Sequence, residues 1–293
     1  MANTTTTCAI QGIEGNPDFY GLGIRLGFYF HWLGTLLVTI FRQEEEALYR
    51  VVNIHLQLAV FACLVFLTTT TSATAAAIHP PEVLIAFWLL LGALSSTTGD
   101  GITFFGTLAG TARFCMYAAL SAYGVWFWFI GLDSTQFSTT PDPGCDYVGW
   151  FGAIPIRSPA FRGLGKAASV IGLAVCVGLL GYSCWLMISK AIKGGGYTPA
   201  STSETSKKTE RPRAKVEITL VTLSITVIAL SVGSIEYLIS ANGLTGVNDI
   251  FAVGQIIPLL VGAMGLATTF FEITWEKRVL EARCLMILRW HIT

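Results

Sequence analysis

The chain has 293 residues, with 18 Lys+Arg against 18 Asp+Glu and a formal net charge of zero. Only 12% is charged and 53% is hydrophobic, where an ordinary soluble domain is charged at roughly a quarter of its positions. Such a chain cannot coat a water-facing surface with charge, has no basic excess for nucleic acid, and is too apolar to be disordered over most of its length. A polytopic membrane protein remains.

A bilayer core requires about 20 mostly apolar residues per helix. Seven stretches meet that length, at 18–41, 48–71, 83–102, 107–132, 167–190, 218–239 and 249–271. They are continuous apolar runs rather than alternating ten-residue segments, so the expected fold is an all-α bundle of seven transmembrane helices, not a barrel. Asn16-Pro17 predicts an N-cap and first helical turn before span 1. His79-Pro80-Pro81 separates spans 2 and 3, and Asn242-Gly243 closes span 6. The first seventeen residues carry neither a basic region nor an apolar run, so no cleavable signal peptide is expected. The whole chain, 1–293, reads as a single membrane domain.

Basic residues set the orientation. Fourteen fall on the side of the 1–2, 3–4 and 5–6 connections and the C-terminal tail, only Arg157, Arg162 and Lys166 fall opposite, and Arg25 lies inside span 1. The N-terminus is therefore expected outside (or in the lumen) and the C-terminus in the cytosol, with the endoplasmic reticulum as the expected membrane. Residues 133–165 form a long outer loop, rich in Pro, Gly and aromatics, that reads as a structured cap. Residues 194–213 read as a flexible cytosolic linker. No internal repeat supports an inverted-repeat transporter. Only Cys8 and Cys145 face outside, where they form a disulfide or stay as two free thiols. Asn3-Thr4-Thr5 is a glycosylation sequon on the same side.

Ionisable groups within spans are costly and mark a cavity or a structural pair. At 1.5 Å per residue, Arg25 lies about 10 Å below the start of span 1, Glu236 about 6 Å below the end of span 6, and Gln255 about 9 Å below the start of span 7. Asp18, Asp133, Asn248 and Asp249 sit at the rim above them, and Trp126 and Trp128 come to the same depth. A second layer near the cytosolic face, Asn53, His55, Asp100, Arg113 and Glu272, reads as snorkelling and helix-end pairing. His31 reads as a packing residue. Each outer residue also has an ordinary explanation: the helix dipole favours Asp18, Arg25 neutralises Glu236, and the tryptophans belong to an interfacial belt. Gly23-x-x-x-Gly27 and Ala229-x-x-x-Gly233 read as close-packing seams, and Pro258 as a kink in span 7. The shared depth of acids, a cation and aromatics goes further. It suits a site that protonates an apolar substrate and stabilises a carbocation on ring faces.

Named motifs are otherwise missing. The sequence has no Asp-Asp-x-x-Asp cluster for prenyl diphosphates, no His-Glu-x-x-His, and no lysine in span 7 for retinal. Thr97-Thr98-Gly99-Asp100 lacks the first glycine of the intramembrane aspartyl protease motif, and Asn16-Pro17-Asp18-Phe19-Tyr20 matches a receptor string in the wrong place. No metal or other cofactor is expected.

The stretches NPDFYGLGIRLGFY (16–29), VWFWFIGLD (125–133) followed by Cys145, and GQIIPL (254–259) resemble a group of fungal polytopic membrane proteins. Some members of that group are terpene cyclases of meroterpenoid pathways, of the ascofuranone, ascochlorin and macrophorin kind. The resemblance implies a metal-free cyclase, of lyase or isomerase type, acting in secondary metabolism on a lipophilic farnesylated phenol or quinone, often with a terminal epoxide. Its partners are then that substrate and membrane lipid, with no nucleic acid. On that reading the initiating acid is Glu236, with Asp133 or Asp249 as the alternative, and a direct Arg25–Glu236 pair would move the role to a rim aspartate, Asp18 included. Tyr20, Phe28, Trp126 and Trp128 would line the cation path, while Asn248 and Gln255 would orient substrate oxygens. The alternatives are a seven-span receptor or small-molecule transporter, and a membrane assembly protein docking through its basic tail.

Overall fold

The computed structural model describes residues 12–42, 46–70, 78–94, 105–134, 137, 146–192, 214–250 and 253–290. In chain order the elements are β1 (Ile13–Glu14), α1 (Pro17–Tyr20), α2 (Leu22–Phe41), α3 (Glu46–Thr69), α4 (Pro80–Gly92) and α5 (Leu108–Phe129). There follow β2 (Val148–Trp150), β3 (Ile154–Pro155), α6 (Pro159–Ile192), α7 (Ala214–Ala241), β4 (Leu244–Thr245) and α8 (Val253–Trp290). The protein is all-α apart from two short strand pairs, β1 with β4 in parallel and β2 with β3 antiparallel.

Among the described residues, six helical stretches are long and apolar enough to cross a membrane: Pro17–Phe41, Leu48–Thr69, Leu108–Asp133, Pro159–Ile192, Ile218–Ala241 and Gly254–Trp275. They answer to six of the seven expected spans. The third differs, because α4 covers 13 residues, about 20 Å of helix against a hydrocarbon core of about 30 Å. The apolar run stops near Leu94, ahead of a Ser-Ser-Thr-Thr-Gly-Asp string that the expected window had included. Residues 95–104, with Asp100, lie outside the described residues, as do the linker 194–213, Asn3, Cys8 and Cys145 with their possible disulfide.

Span 1 is also not one continuous helix. Asn16 caps α1, its side chain accepting from the Asp18 N–H at 3.1 Å with Pro17 at the first position, as expected. The helix then breaks at Gly21, whose ψ of 164° is extended, and α2 restarts at Leu22. Arg25 therefore lies in the first turn of α2 rather than two turns into a single helix. Span 5 begins earlier than expected, since Pro159 opens α6 and takes the last residues of the outer loop into the helix.

The contacts divide the chain into two compact units. One contains α5, α6, the hairpin of β2 and β3, the end of α3 from Phe61 and the start of α4 to Val83. In it, Thr111 and Ser183 hydroxyls meet at 2.9 Å between α5 and α6, and the Trp128 indole covers Gly165 so closely that a Cβ there would collide with it. The hairpin turns through Gly152 and Ala153, both at positive φ. Residue 149 is glycine because a Cβ would strike the Phe161 ring. Tyr147, buried beside the hairpin, places its hydroxyl 2.9 Å from Nδ1 of His79, and the His79 N–H donates to Glu82 at 2.6 Å.

The other unit contains β1, α1, α2, β4, α8, the first part of α3, α4 from Leu84 and α7 from Val221. Its central seam is α2 against α8. A Cβ on Gly23 would meet the backbone of Gln255, one on Gly27 the backbone of Pro258 and Leu259, and one on Gly262 the backbone of Gly27. This is the small-residue packing expected of Gly23-x-x-x-Gly27, in which apposed backbones replace side-chain bulk. The second expected seam is absent from this unit: Ala229 and Gly233 are exposed. Pro258 lies inside α8, which continues through it. His31 packs as expected, buried and stacked on Tyr49 at 5.8 Å, while Arg42 pairs with Glu272 at 2.8 Å in the second polar layer.

Candidate functional site

The predicted site residues fall into two groups, one in each unit. Arg25, Glu236, Asn248, Asp249, Asp18, Tyr20, Phe28 and Gln255 belong to the unit built on α2 and α8, whereas Asp133, Trp126 and Trp128 belong to the unit built on α5 and α6.

Within the first group the structure assembles one polar cluster around Arg25, whose side chain is fully buried. Its Nη1 donates to Glu236 at 2.6 Å, and its Nη2 to Asn248 Oδ1 at 2.7 Å and to the Val247 carbonyl at 3.2 Å. Nε is buried and has no hydrogen-bond partner. The local sequence accounts for the convergence. Arg25 leaves the first turn of α2, Glu236 the last turns of α7, and Asn242-Gly243, with Gly243 at φ 59°, turns the chain back so that 247–248 reach the same guanidinium. The parallel pairing of Ile13 with Leu244 and the Leu22 N–H bond to the Val247 carbonyl at 2.8 Å fix that return.

Glu236 differs from Arg25 in burial: its side chain is 46% exposed. Its second oxygen accepts from the Tyr29 hydroxyl at 2.9 Å. Both carboxylate oxygens are therefore engaged. A direct Arg25–Glu236 pair is the case in which the sequence reading moves the initiating acid to a rim aspartate. Tyr29 was not among the expected residues, although its position four after Arg25 puts it on the same helical face. Its ring lies 5.6 Å from Trp32, which is itself fully buried with an unpartnered indole N–H.

The remaining predicted residues of this unit take different places. Gln255, 1% exposed, accepts from the Gly23 N–H at 3.2 Å and so caps α2 from another helix, where Gly21 supplies no side-chain cap. Tyr20 and Phe28 are core aromatics: the Tyr20 hydroxyl faces Gly15, and Phe28 packs edge-on to Trp32 at 6.0 Å. Neither ring presents an open face in this unit. Asp18 is exposed in the first turn of α1, with a carboxylate oxygen 3.6 Å from where a Gly254 Cβ would stand, and thus near the start of α8. Two helix N-termini account for a carboxylate there. Asp249 is exposed, next to Asn248, and among the described residues no cation lies within ion-pair distance of it.

In the other unit Asp133 ends the 3-10 turn after α5 and is gripped by both terminal nitrogens of Arg162, whose Nε also donates to the Trp128 carbonyl at 3.1 Å. Trp128 is buried and lies edge-on to Phe161 at 5.5 Å, and Trp126 leans on Tyr123 at 5.3 Å. Arg157, another cation of this segment, pairs with Asp146 at 3.0 Å and reaches the Leu132 carbonyl. Burial pushes the His79 imidazole below its ordinary pKa and the Tyr147 hydroxyl up to about 12. That pair lay outside the expectations, since nothing in the residues 79 and 147 alone brings them together.

Among the described residues, no group of three or more His, Cys, Asp or Glu side chains is placed to hold a metal ion. Compared with protein-family models, with curated proteins and with solved structures, the chain matches none.

Proposed function

We propose that the protein is a membrane-embedded cyclase that protonates an epoxide or alkene of a prenylated phenol or quinone and closes rings on the resulting cation. The observation that carries this reading is a pair of carboxylates in unlike settings at one end of the α2–α7–α8 unit. Glu236 is clamped by Arg25 and Tyr29, while Asp249 follows directly on Asn248, a partner of the same arginine, and among the described residues has no cation of its own. Two acids held in such unlike ways can take different roles in one reaction. The sequence resemblance to meroterpenoid cyclases points the same way, and the apolar helices suit a farnesyl chain.

On this reading Asp249 replaces Glu236 as the initiating acid. Arg25 and Asn248 position the loop that carries it, and Gln255 serves the fold rather than the substrate. The half-buried Tyr29 ring, not Tyr20 or Phe28, faces the cation. The substrate enters from the lipid, and the site opens toward the luminal side that the basic residues predict. The test is incubation of membranes with a terminally epoxidised farnesyl-phenol. Wild type is expected to give cyclic product, and Asp249→Asn to lose at least about 100-fold in rate, the usual worth of a positioned general acid. Asp18→Asn and Asp133→Asn are expected to stay near wild type. Full turnover by Asp249→Asn would remove the assignment.

A further inference from the structure

Glu236 is held by two partners and is half exposed, a setting that suits the group that ends the reaction. We propose that Glu236 is the terminating base, taking the proton that the last carbocation sheds. The inference rests on the cyclase reading and assigns the final step to a residue of the same cluster.

Four features support it. The carboxylate is fixed on two sides, by Arg25 at 2.6 Å and Tyr29 at 2.9 Å, so its position is set before any substrate arrives. It is nevertheless 46% exposed, unlike the buried arginine, so one flank of the group is open to a ligand. One turn further along α7, Ile239 is apolar and buried. Tyr29 lies partly open beside it, with Trp32 behind, and supplies a ring face that attracts positive charge.

The chemistry balances. A proton delivered to the epoxide oxygen breaks its bond to the tertiary carbon, and the electron pairs of successive alkenes form the ring bonds and move the cation inward. The final cation then loses a proton from an adjacent carbon to a Glu236 oxygen, and that C–H pair becomes the new double bond. One proton enters from Asp249 and one leaves to Glu236, and exchange of both exposed carboxyls with water restores the enzyme, so the net change is an isomerisation. A carbon beside a cationic centre is acidic enough to give up its proton even to a carboxylate already paired with a guanidinium.

The experiment reads product identity rather than rate. Wild-type membranes given the epoxidised farnesyl-phenol are expected to form a cyclic alkene. Glu236→Gln keeps a carbonyl for Arg25 but removes the base. It should consume substrate within about 10-fold of wild type, less than the ~100-fold loss expected where a positioned base acts in the rate-limiting step, while product shifts to the alcohol formed when water captures the cation. Asp133→Asn, at a carboxylate held by Arg162 in the other unit, should keep the alkene. If Glu236→Gln does not accumulate in membranes, Glu236→Asp withdraws the carboxylate by one methylene and is expected to change the ratio of double-bond isomers. An unchanged alkene pattern in Glu236→Gln, or in Glu236→Asp where that variant is used, would overturn the assignment. Absence of any cyclic product from wild type would instead refute the cyclase reading itself.

Discussion

At Arg25 three oxygens, from Glu236, Asn248 and Val247, meet one buried guanidinium. Removing that cation leaves a carboxylate, an amide and a carbonyl short of a donor. Arg25→Met should therefore destabilise the protein by roughly 2–3 kcal/mol, below the full cost of breaking a buried pair because Glu236 is half exposed. Tyr29→Phe removes one hydrogen bond and should cost only about 1 kcal/mol. Thermal unfolding in detergent orders the two, and equal midpoints would show that Arg25 is not the centre of the cluster. The Arg25–Glu236 pair was legible in the sequence as one of two readings, because charges at similar depth on different helices tend to pair in a medium without water. Asn248, expected to orient substrate oxygens, was not read as a partner of Arg25. Tyr29 was equally legible by its spacing but carries no charge to draw notice. The capping role of Gln255 was not legible, since the chain break at Gly21 and the closeness of α8 are both tertiary facts.

The α2–α8 seam makes a sharper test at the level of elements. Gly27→Ala forces a Cβ into the backbone of Pro258 and should cost roughly 1–3 kcal/mol as overpacking. Gly178→Ala, on α6 with nothing within 4 Å of its new methyl, should be neutral or slightly stabilising. Unfolding midpoints that fail to separate the two would deny the seam. The His79–Tyr147 contact should respond to pH. Folding lowers the His79 pKa, so below the unfolded value of about 6.5 the unfolded chain binds a proton that the folded chain resists. The stabilisation is complete above that value and is lost on acidification. Tyr147, pushed up to about 12, adds a second loss where the unfolded phenol ionises, above about pH 10. Protease protection of the 146–158 segment should thus fall between about pH 7.5 and 5, and His79→Gln should flatten that fall. Equal protection at both pH values would show the imidazole is not held neutral there. Six spans could be read directly from apolar runs. The third could not, because the expected span 83–102 runs past Leu94 into polar residues, whereas α4 ends at Gly92.

For the molecule as a whole, the net charge of zero conceals an ordered distribution of its parts. The excess of basic residues in the 5–6 connection and the tail predicts a cytosolic side, and the cluster at the start of α2 then faces the lumen. Single cysteines at Glu14, exposed on β1, and at Ser203 in the 5–6 connection test this. An impermeant thiol reagent on sealed microsomes should label Glu14→Cys only after the membrane is breached and Ser203→Cys at once. Labelling of both from one side would contradict the topology. The central claim is that a prenylated ligand occupies the Arg25–Glu236–Tyr29 cluster, and photo-crosslinking tests it most directly. With a farnesyl-phenol bearing a diazirine on the prenyl chain, adducts should concentrate in α2 and the last turns of α7 and be displaced by unlabelled ligand. Adducts spread evenly over the helices, or not displaced by excess ligand, would contradict it.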